Sequence, residues 1–364
     1  MALNARLNAT MNDSHSSLSE AQLRPIFATL CGLILLVGLL ANGLMLIVLG
    51  RGSGSRGQAP GPLLALTNSL MVNITLSDLV FLAYVVPVLL LTFLRRDWWL
   101  GLAVCTTSQS FNMGTMFCTF YSMVATAFLR YIAVVFPSVV FPAGRAAQLM
   151  LCLAMWLMGF SVSLPNWLYQ KVVEEGKEEE EAAALGTGSE LVHSCLMLLG
   201  PAQTSCYFTL LGALAFLPFA GMLMLSFMHL GWLLWGAEWP QVPPDVQQHR
   251  EATGLILVVL VVFVLMWGPC SVLGYVAAVG ALPDTFPIFV AISLCTILAY
   301  SNCAVSPILC FCLSRPFQAG LREIFSCLTG ERRVLEHGGV ARDLRGGESG
   351  RLGAPGGLWV SRAA

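Results

Sequence analysis

The sequence predicts an all-α membrane protein built on a bundle of seven transmembrane helices. Three observations carry this reading. Of 364 residues, 57% are hydrophobic and only 11% charged, where a soluble chain carries roughly 25% charged residues. Seven runs are long and apolar enough to cross a hydrocarbon core of about 30 Å, which takes about 20 helical residues. None of these runs alternates apolar and polar side chains, as the roughly 10-residue strands of a membrane barrel do. The same numbers exclude a disordered, collagen-like or coiled-coil chain. Twelve cysteines, most of them inside apolar runs, do not describe a small disulfide scaffold. A net charge of −1 offers no basic surface to nucleic acid.

Residues 1–24 are polar and lack the apolar stretch of a signal peptide. They form an N-terminal tail in which Asn8 and Asn12 head two N-x-S/T acceptors, so the tail is expected outside the cell as a glycosylated segment. A third match at Asn73 lies mid-membrane, out of reach of modification. The bundle fills residues 25–313, with spans at Pro25–Gly50, Leu63–Leu94, Leu102–Val135, Ala147–Gln170, Ala202–Trp235, Thr253–Ala281 and Phe286–Leu313. Gly and Pro punctuate the gaps, as at Gly52–Pro62, Pro137–Gly144, Pro240–Pro244 and Pro283. Residues 314–328 follow the last span, and 329–364 are expected as a disordered cytoplasmic tail. With the N-terminus outside, the inner side carries nine arginines between Arg51 and Arg333. The outer side carries six basic residues between Arg6 and Lys177. That excess agrees with the rule that cytoplasmic loops are the more basic ones.

Asp78, in the middle of the second span, is the most informative residue. A carboxylate at that depth costs about 2.5–3.5 kcal/mol on insertion scales, and such groups face the bundle interior at ion or proton sites. Asn42, Asn112, Thr119, Asn302, Cys303 and Ser306 are its candidate partners in one polar core. Pro87, Pro218, Pro269 and Pro307 each remove a backbone hydrogen bond within a span, which suggests a bundle built to move. No catalytic constellation is present: there is no H-E-x-x-H, G-x-S-x-G or P-loop, and the histidines are scattered. An enzyme is not indicated and no cofactor is expected. A transporter or channel using Asp78 is the alternative class, but neither a repeat nor extra spans are seen.

Over residues 25–328 the landmarks resemble, one per helix, those of rhodopsin-like (class A) G-protein-coupled receptors. Asn42-Gly43 looks like the G-N motif, Leu76-Ser77-Asp78-Leu79 like L-A-D-L, and Trp98-Trp99-Leu100-Gly101 with Cys105 like the first outer loop and the span-three cysteine. Leu129-Arg130-Tyr131 is similar to D-R-Y, Trp156 to the span-four tryptophan, and Phe216-Leu217-Pro218 to the span-five proline motif. Phe263 with Trp267-Gly268-Pro269 resembles F-x-x-C-W-x-P, and Ser306-Pro307-Ile308-Leu309-Cys310 stands where N-P-x-x-Y would be. Trp98 and the long second outer loop look nearest to peptide receptors of the galanin and kisspeptin type.

The resemblance implies a plasma-membrane receptor for an extracellular ligand, with a heterotrimeric G protein and arrestin as inner partners, and a short amphipathic eighth helix over residues 314–328 at the inner membrane face, carrying Phe317 and Leu321. It implies a disulfide from Cys105 to Cys195, with Cys206 the alternative partner. It implies a sodium pocket at Asp78, Thr119, Asn302, Cys303 and Ser306; a thiol suits a hard cation poorly, so sodium is expected to bind weakly. It places the switch at Phe120, Arg130, Pro218, Phe263, Trp267, Pro269 and Pro307, with Phe120, Pro218 and Phe263 packed below Trp267. Ligand contact is expected at Asn112 and Trp267, and S-acylation at Cys327. Asn112 stands where an amine receptor has its carboxylate, so an amine ligand is not expected. Lys171 and Lys177, the only lysines, exclude a retinal Schiff base. The acidic second outer loop, with Glu174, Glu175, Glu178–Glu181 and Glu190, is expected either as a solvated spacer or as a lure for a basic peptide. Leu129 replaces the acid beside Arg130, and Ser306 and Cys310 replace the span-seven Asn and Tyr. These departures keep a non-signalling scavenger or modulator as an alternative function.

Overall fold

The computed structural model describes residues 2–54, 61–95, 97–136, 138–142, 144–176, 191–235, 244–278, 282 and 285–328. Side chains are described from residue 22 on, except 52–54, 134, 175–176, 191–192, 216, 223, 226–235, 244–253, 278 and 328. Among the described residues, seven helical segments are long and apolar enough to span a membrane: Gln22–Arg51, Pro62–Leu94, Gly101–Ala133, Arg145–Val162, Pro201–Met222, Gly254–Ala277 and Phe286–Leu313.

The first span lies in α1 (Ala2–Gly54), which starts far ahead of the expected tail boundary and carries Pro25 within it. The second span is α2 (Pro62–Val80), a π-helical turn (Phe81–Val85) and α3 (Val86–Leu94). Pro87 cannot donate a backbone bond; the widened turn before it, in which the Val86 N–H reaches the Phe81 carbonyl, absorbs the defect. The third span is α4 (Gly101–Val135), entered through Gly101 at φ +77°, a conformation that favours glycine.

The fourth span departs from expectation. Helix α5 (Arg145–Val162) ends at Ser163 rather than Gln170. A short α6 (Leu164–Tyr169) restarts with Pro165 in its first turn. Proline is accommodated there but not within a continuous helix. Gln170 already belongs to β1 (Gln170–Gly176), which pairs antiparallel with β2 (Leu191–Met197), Val172 opposite Cys195. The second outer loop is thus framed by a hairpin that polarity alone did not predict; its residues 177–190 lie outside the described set. Cys195 forms the disulfide with Cys105 (Cα–Cα 5.7 Å), which ties the hairpin to the outer end of α4. Cys206, the alternative partner, stands exposed as a free thiol.

Helices α7 (Pro201–Trp235), α8 (Pro244–Ala278) and α9 (Phe286–Leu313) complete the bundle. Half of the third span's apolar window is buried, against about a tenth for spans four and five. So α4 is the central column, and it packs on α2, α5, α7 and α8. At its seam with α5, a Cβ on Gly159 would run into the Gly114 carbonyl oxygen. Helix α1 packs on α9 and closes the ring.

In two of the proline-bearing spans the freed carbonyl is capped from another helix. Pro307 leaves the Cys303 carbonyl without its helical donor, and the buried Asn42 amide donates to it at 2.8 Å. Pro218 leaves the Leu214 carbonyl, and the Tyr121 hydroxyl donates to it at 3.4 Å. The kinks persist because neighbouring side chains satisfy the groups that proline exposes.

The segment Arg315–Leu328 forms α10, a separate unit. Phe317, Leu321, Ile324, Phe325 and Leu328 recur at helical spacing along it, the pattern of an interfacial helix. Cys327 is exposed on it.

Candidate functional site

Asp78 is buried where α2, α4 and α9 meet. The Thr119 hydroxyl donates to its Oδ1 at 3.1 Å, while Oδ2, also buried, has no hydrogen-bond partner. Asp78 borders two small cavities. One, about 20 Å³, is shared with Thr119, Trp267, Asn302 and Cys303. The other, about 40 Å³, is shared with Asn42, Ser306, Pro307 and Cys310. Either is large enough for water, which needs about 10–15 Å³. The five expected core residues are therefore distributed over two compartments joined at Asp78. Ser306 reaches the first only indirectly, donating to Asn302 Oδ1 at 3.4 Å. The Cys303 thiol donates to its own helix at the Tyr300 carbonyl.

Above Asp78 stands a column of rings. Phe120 meets Phe263 at 5.6 Å between centroids, Phe263 stacks on Trp267 at 6.1 Å, and Trp267 meets Tyr300 at 5.9 Å. Phe120 and Phe263 are brought together as expected from the sequence. Pro218 lies on α7, whose Leu214 carbonyl is joined to α4 by the Tyr121 hydroxyl. Near the inner end of α4, Arg130 is half-buried next to Leu129, and its Nε has no hydrogen-bond partner among the described residues.

On the outer side of the column a cavity of about 660 Å³ opens between α4, α7, α8 and α9. Asn112 and Trp267 both line it. Along α4 it runs from Gln109 to Phe120, a rise of about 16 Å. The Asn112 Oδ1 is buried without a hydrogen-bond partner.

Outside the span, Asp97 accepts the backbone N–H of His193 at 2.7 Å and faces that imidazole's Nδ1 at 3.2 Å. Glu174 Oε1 lies 3.6 Å from His193 Nε2. The backbone bond from His193 holds the Asp97 carboxyl below its ordinary pKa. The remaining acidic residues, Glu178–Glu181 and Glu190, lie outside the described residues, as do the side chains of Asn8 and Asn12.

Sequence reasoning missed three contributors. Asn73, read only as a sequon out of reach, is buried and joins three spans: Trp156 Nε1 donates to its Oδ1 at 3.0 Å, and its amide donates to Ser122 at 2.9 Å. A polar residue amid an apolar run was the available signal. Gln109 and Tyr300 line the large cavity; Gln109, one turn before Asn112, was legible by helical spacing. Among the described residues no cluster of His, Cys, Asp or Glu could hold a metal ion.

Comparison with known proteins agrees with this architecture. Residues 61–309 match the family described as 7 transmembrane receptor (rhodopsin family). Similar proteins include human galanin receptor type 3, 28% identical over 94% of this chain and 89% of the relative. Allatostatin-A receptor of Bombyx mori is 24% identical over 88% and 85%. Neuromedin-K receptor of Oryctolagus cuniculus is 24% identical over 71% and 54%.

Proposed function

This chain belongs to the rhodopsin family of seven-transmembrane receptors. From that premise we propose that it is a multi-pass plasma-membrane receptor that takes an extracellular peptide and signals through a heterotrimeric G protein. The observation that carries the reading is the 660 Å³ cavity that ends on Trp267 and the ring column. A ligand there presses on the element that links α4 to α8 and α9. Two packed arrangements of such an element are what a switch requires. The relatives named for galanin and allatostatin support the peptide class.

In this reading the N-terminus faces outside, with Asn8 and Asn12 glycosylated, and Cys327 is acylated at the inner face. The acidic outer loop draws in a basic peptide. Phe120, Arg130, Pro218, Phe263, Trp267, Pro269 and Pro307 carry the switch, and arrestin joins the G protein as inner partner. Asp78, Thr119 and Asn302 would hold sodium through their oxygens, and the unpartnered Asp78 Oδ2 fits that role. Cys303 and Ser306 add little to it, so the ion is held weakly.

One observation favours a second reading. Arg130 lacks the acidic neighbour that would restrain it, and Ser306 and Cys310 occupy the span-seven switch positions. A receptor-like scavenger that binds ligand without signalling would show the same outer cavity. A G-protein dissociation assay, basal and with a peptide panel, separates the two when run beside arrestin recruitment and ligand uptake. Dissociation above mock-transfected cells supports signalling; uptake without dissociation or recruitment overturns it.

A further inference from the structure

The 660 Å³ cavity contains no charged side chain among its described lining residues. Its polar groups are uncharged amides and hydroxyls: Gln109, Asn112, Thr209, Ser271, Tyr275 and Thr296 among them. Two of these hydroxyls already have partners. Ser271 donates to the Trp267 carbonyl at 2.9 Å, and Thr296 faces the Cys270 thiol. The Asn112 Oδ1 has none and is buried. The nearest buried carboxylate, Asp78, stands behind a wall of Met116, Phe263, Trp267 and Tyr300 that the large cavity shares with the small one. The rest of the lining is aromatic, thioether and aliphatic surface, with rings on several sides.

We infer that the group a ligand buries in this cavity is uncharged and aromatic, and that it hydrogen-bonds the Asn112 amide. The inference rests on reading the cavity as the ligand site and specifies its chemistry. An ammonium or carboxylate there would lose its hydration and meet no counter-ion, a cost no single hydrogen bond offsets. An apolar group with no polar atom would cover the Asn112 amide without matching it. Rings on several sides suit a flat aromatic group in offset or edge contact. Any basic part of a peptide then stays outside, near the acidic loop, and only a neutral part enters.

Three small probes test this on the purified full-length receptor in detergent, read as the melting temperature at about 10 mM probe. N-acetyl-tryptophanamide is uncharged and carries N–H donors. N-acetyl-tryptophan adds a carboxylate and tryptamine an ammonium at pH 7.4. A probe that binds the folded state raises the melting temperature in proportion to its occupancy. The uncharged amide should raise it, and each ionised analogue should bind at least tenfold more weakly. Asn112→Leu should abolish the effect of the amide, and Asn112→Asp should move the preference to tryptamine. If the Asn112 variants do not fold, Gly212→Leu is the second probe. Gly212 lines the cavity, and a Cβ there meets nothing within 4 Å; the leucine should fill the site and remove the shift. Equal stabilisation by an ionised analogue, no stabilisation by the amide, or a shift that survives both Asn112→Leu and Gly212→Leu would each overturn the inference. The readout is binding alone. A receptor that signals to peptides yet ignores the amide overturns this inference and not the proposed function, and a silent receptor stabilised by the amide does the converse.

Discussion

Asp97 gives the cleanest single-residue test, because its partner is a backbone N–H on another segment. The folded chain offers its anion a hydrogen bond that the unfolded chain lacks, so its pKa is lowered. A depressed carboxyl stabilises the fold at pH values above its unfolded pKa, and that contribution is lost as pH falls through the folded value. The His193 amide should be protected from hydrogen exchange at neutral pH and lose protection below about pH 4. Asp97→Ala should lose it already at neutral pH. Equal protection factors in the two proteins at pH 7 would show that the contact holds nothing. At Asp78 the expectation is a small effect. Replacing 150 mM sodium by choline should shift the melting temperature by only about 1–2 °C, because an ion near its dissociation constant stabilises by about 0.4 kcal/mol. A shift of 10 °C would mean that Cys303 and Ser306 do not weaken the site. Asp78 itself was legible in the sequence, since a carboxylate amid leucines needs a reason. That it borders two separate compartments was not, because the division is made by the packing of α4 and α9 around it.

Among the elements, the capped kinks and the glycine seam make opposite kinds of prediction. Asn42→Leu should destabilise the bundle by about 1–3 kcal/mol, since it strands the buried Cys303 carbonyl. Pro307→Ala restores an in-helix donor to that carbonyl, so the double variant should lose less than the sum of the two single losses. Strict additivity in thermal unfolding would separate the amide from the kink. Gly159→Ala should cost about 1–3 kcal/mol by forcing α5 off the Gly114 carbonyl. Gly43→Ala, with nothing within 4 Å of its Cβ, should be neutral or stabilise by up to about 1 kcal/mol. Similar melting temperatures for the two alanine variants would show that the seam can spread. Spans were readable because apolar length suffices to cross a bilayer. The end of α5 was not, because its neighbours are as apolar outside the helix as inside it. The hairpin hid for a related reason: its valines flank an acidic run that polarity alone marks as loop.

For the whole molecule, the disulfide joins positions 90 residues apart. Chain entropy values such a closure at about 4–5 kcal/mol. That is an upper bound here, because spans confined in a bilayer are less free when denatured than a soluble chain. Cys105→Ser should lower the melting temperature by several degrees and free the hairpin, seen as faster exchange of the β1 and β2 amides. An unchanged exchange pattern would mean that the strand pairing and the Asp97 contact hold the loop unaided. The family was legible from motifs spread one per helix, since each motif marks a span's position in the bundle, and the peptide-receptor relatives from Trp98 and the long second outer loop. The neutral lining of the large cavity was not legible, because it depends on which faces of four helices turn inward together.

The Asn42 cap also has a history in time. Its amide is made 261 residues before the carbonyl it finally holds. At about 5–20 residues per second, translation takes roughly 13–50 s to cover that distance. Through that interval the first helix sits in the bilayer with a polar side chain and no seventh helix to receive it. The same amide also donates to the Gly38 carbonyl of its own helix at 2.9 Å. That local bond lets the first helix enter lipid alone and wait, so the last span to be synthesised finds its partner already in place.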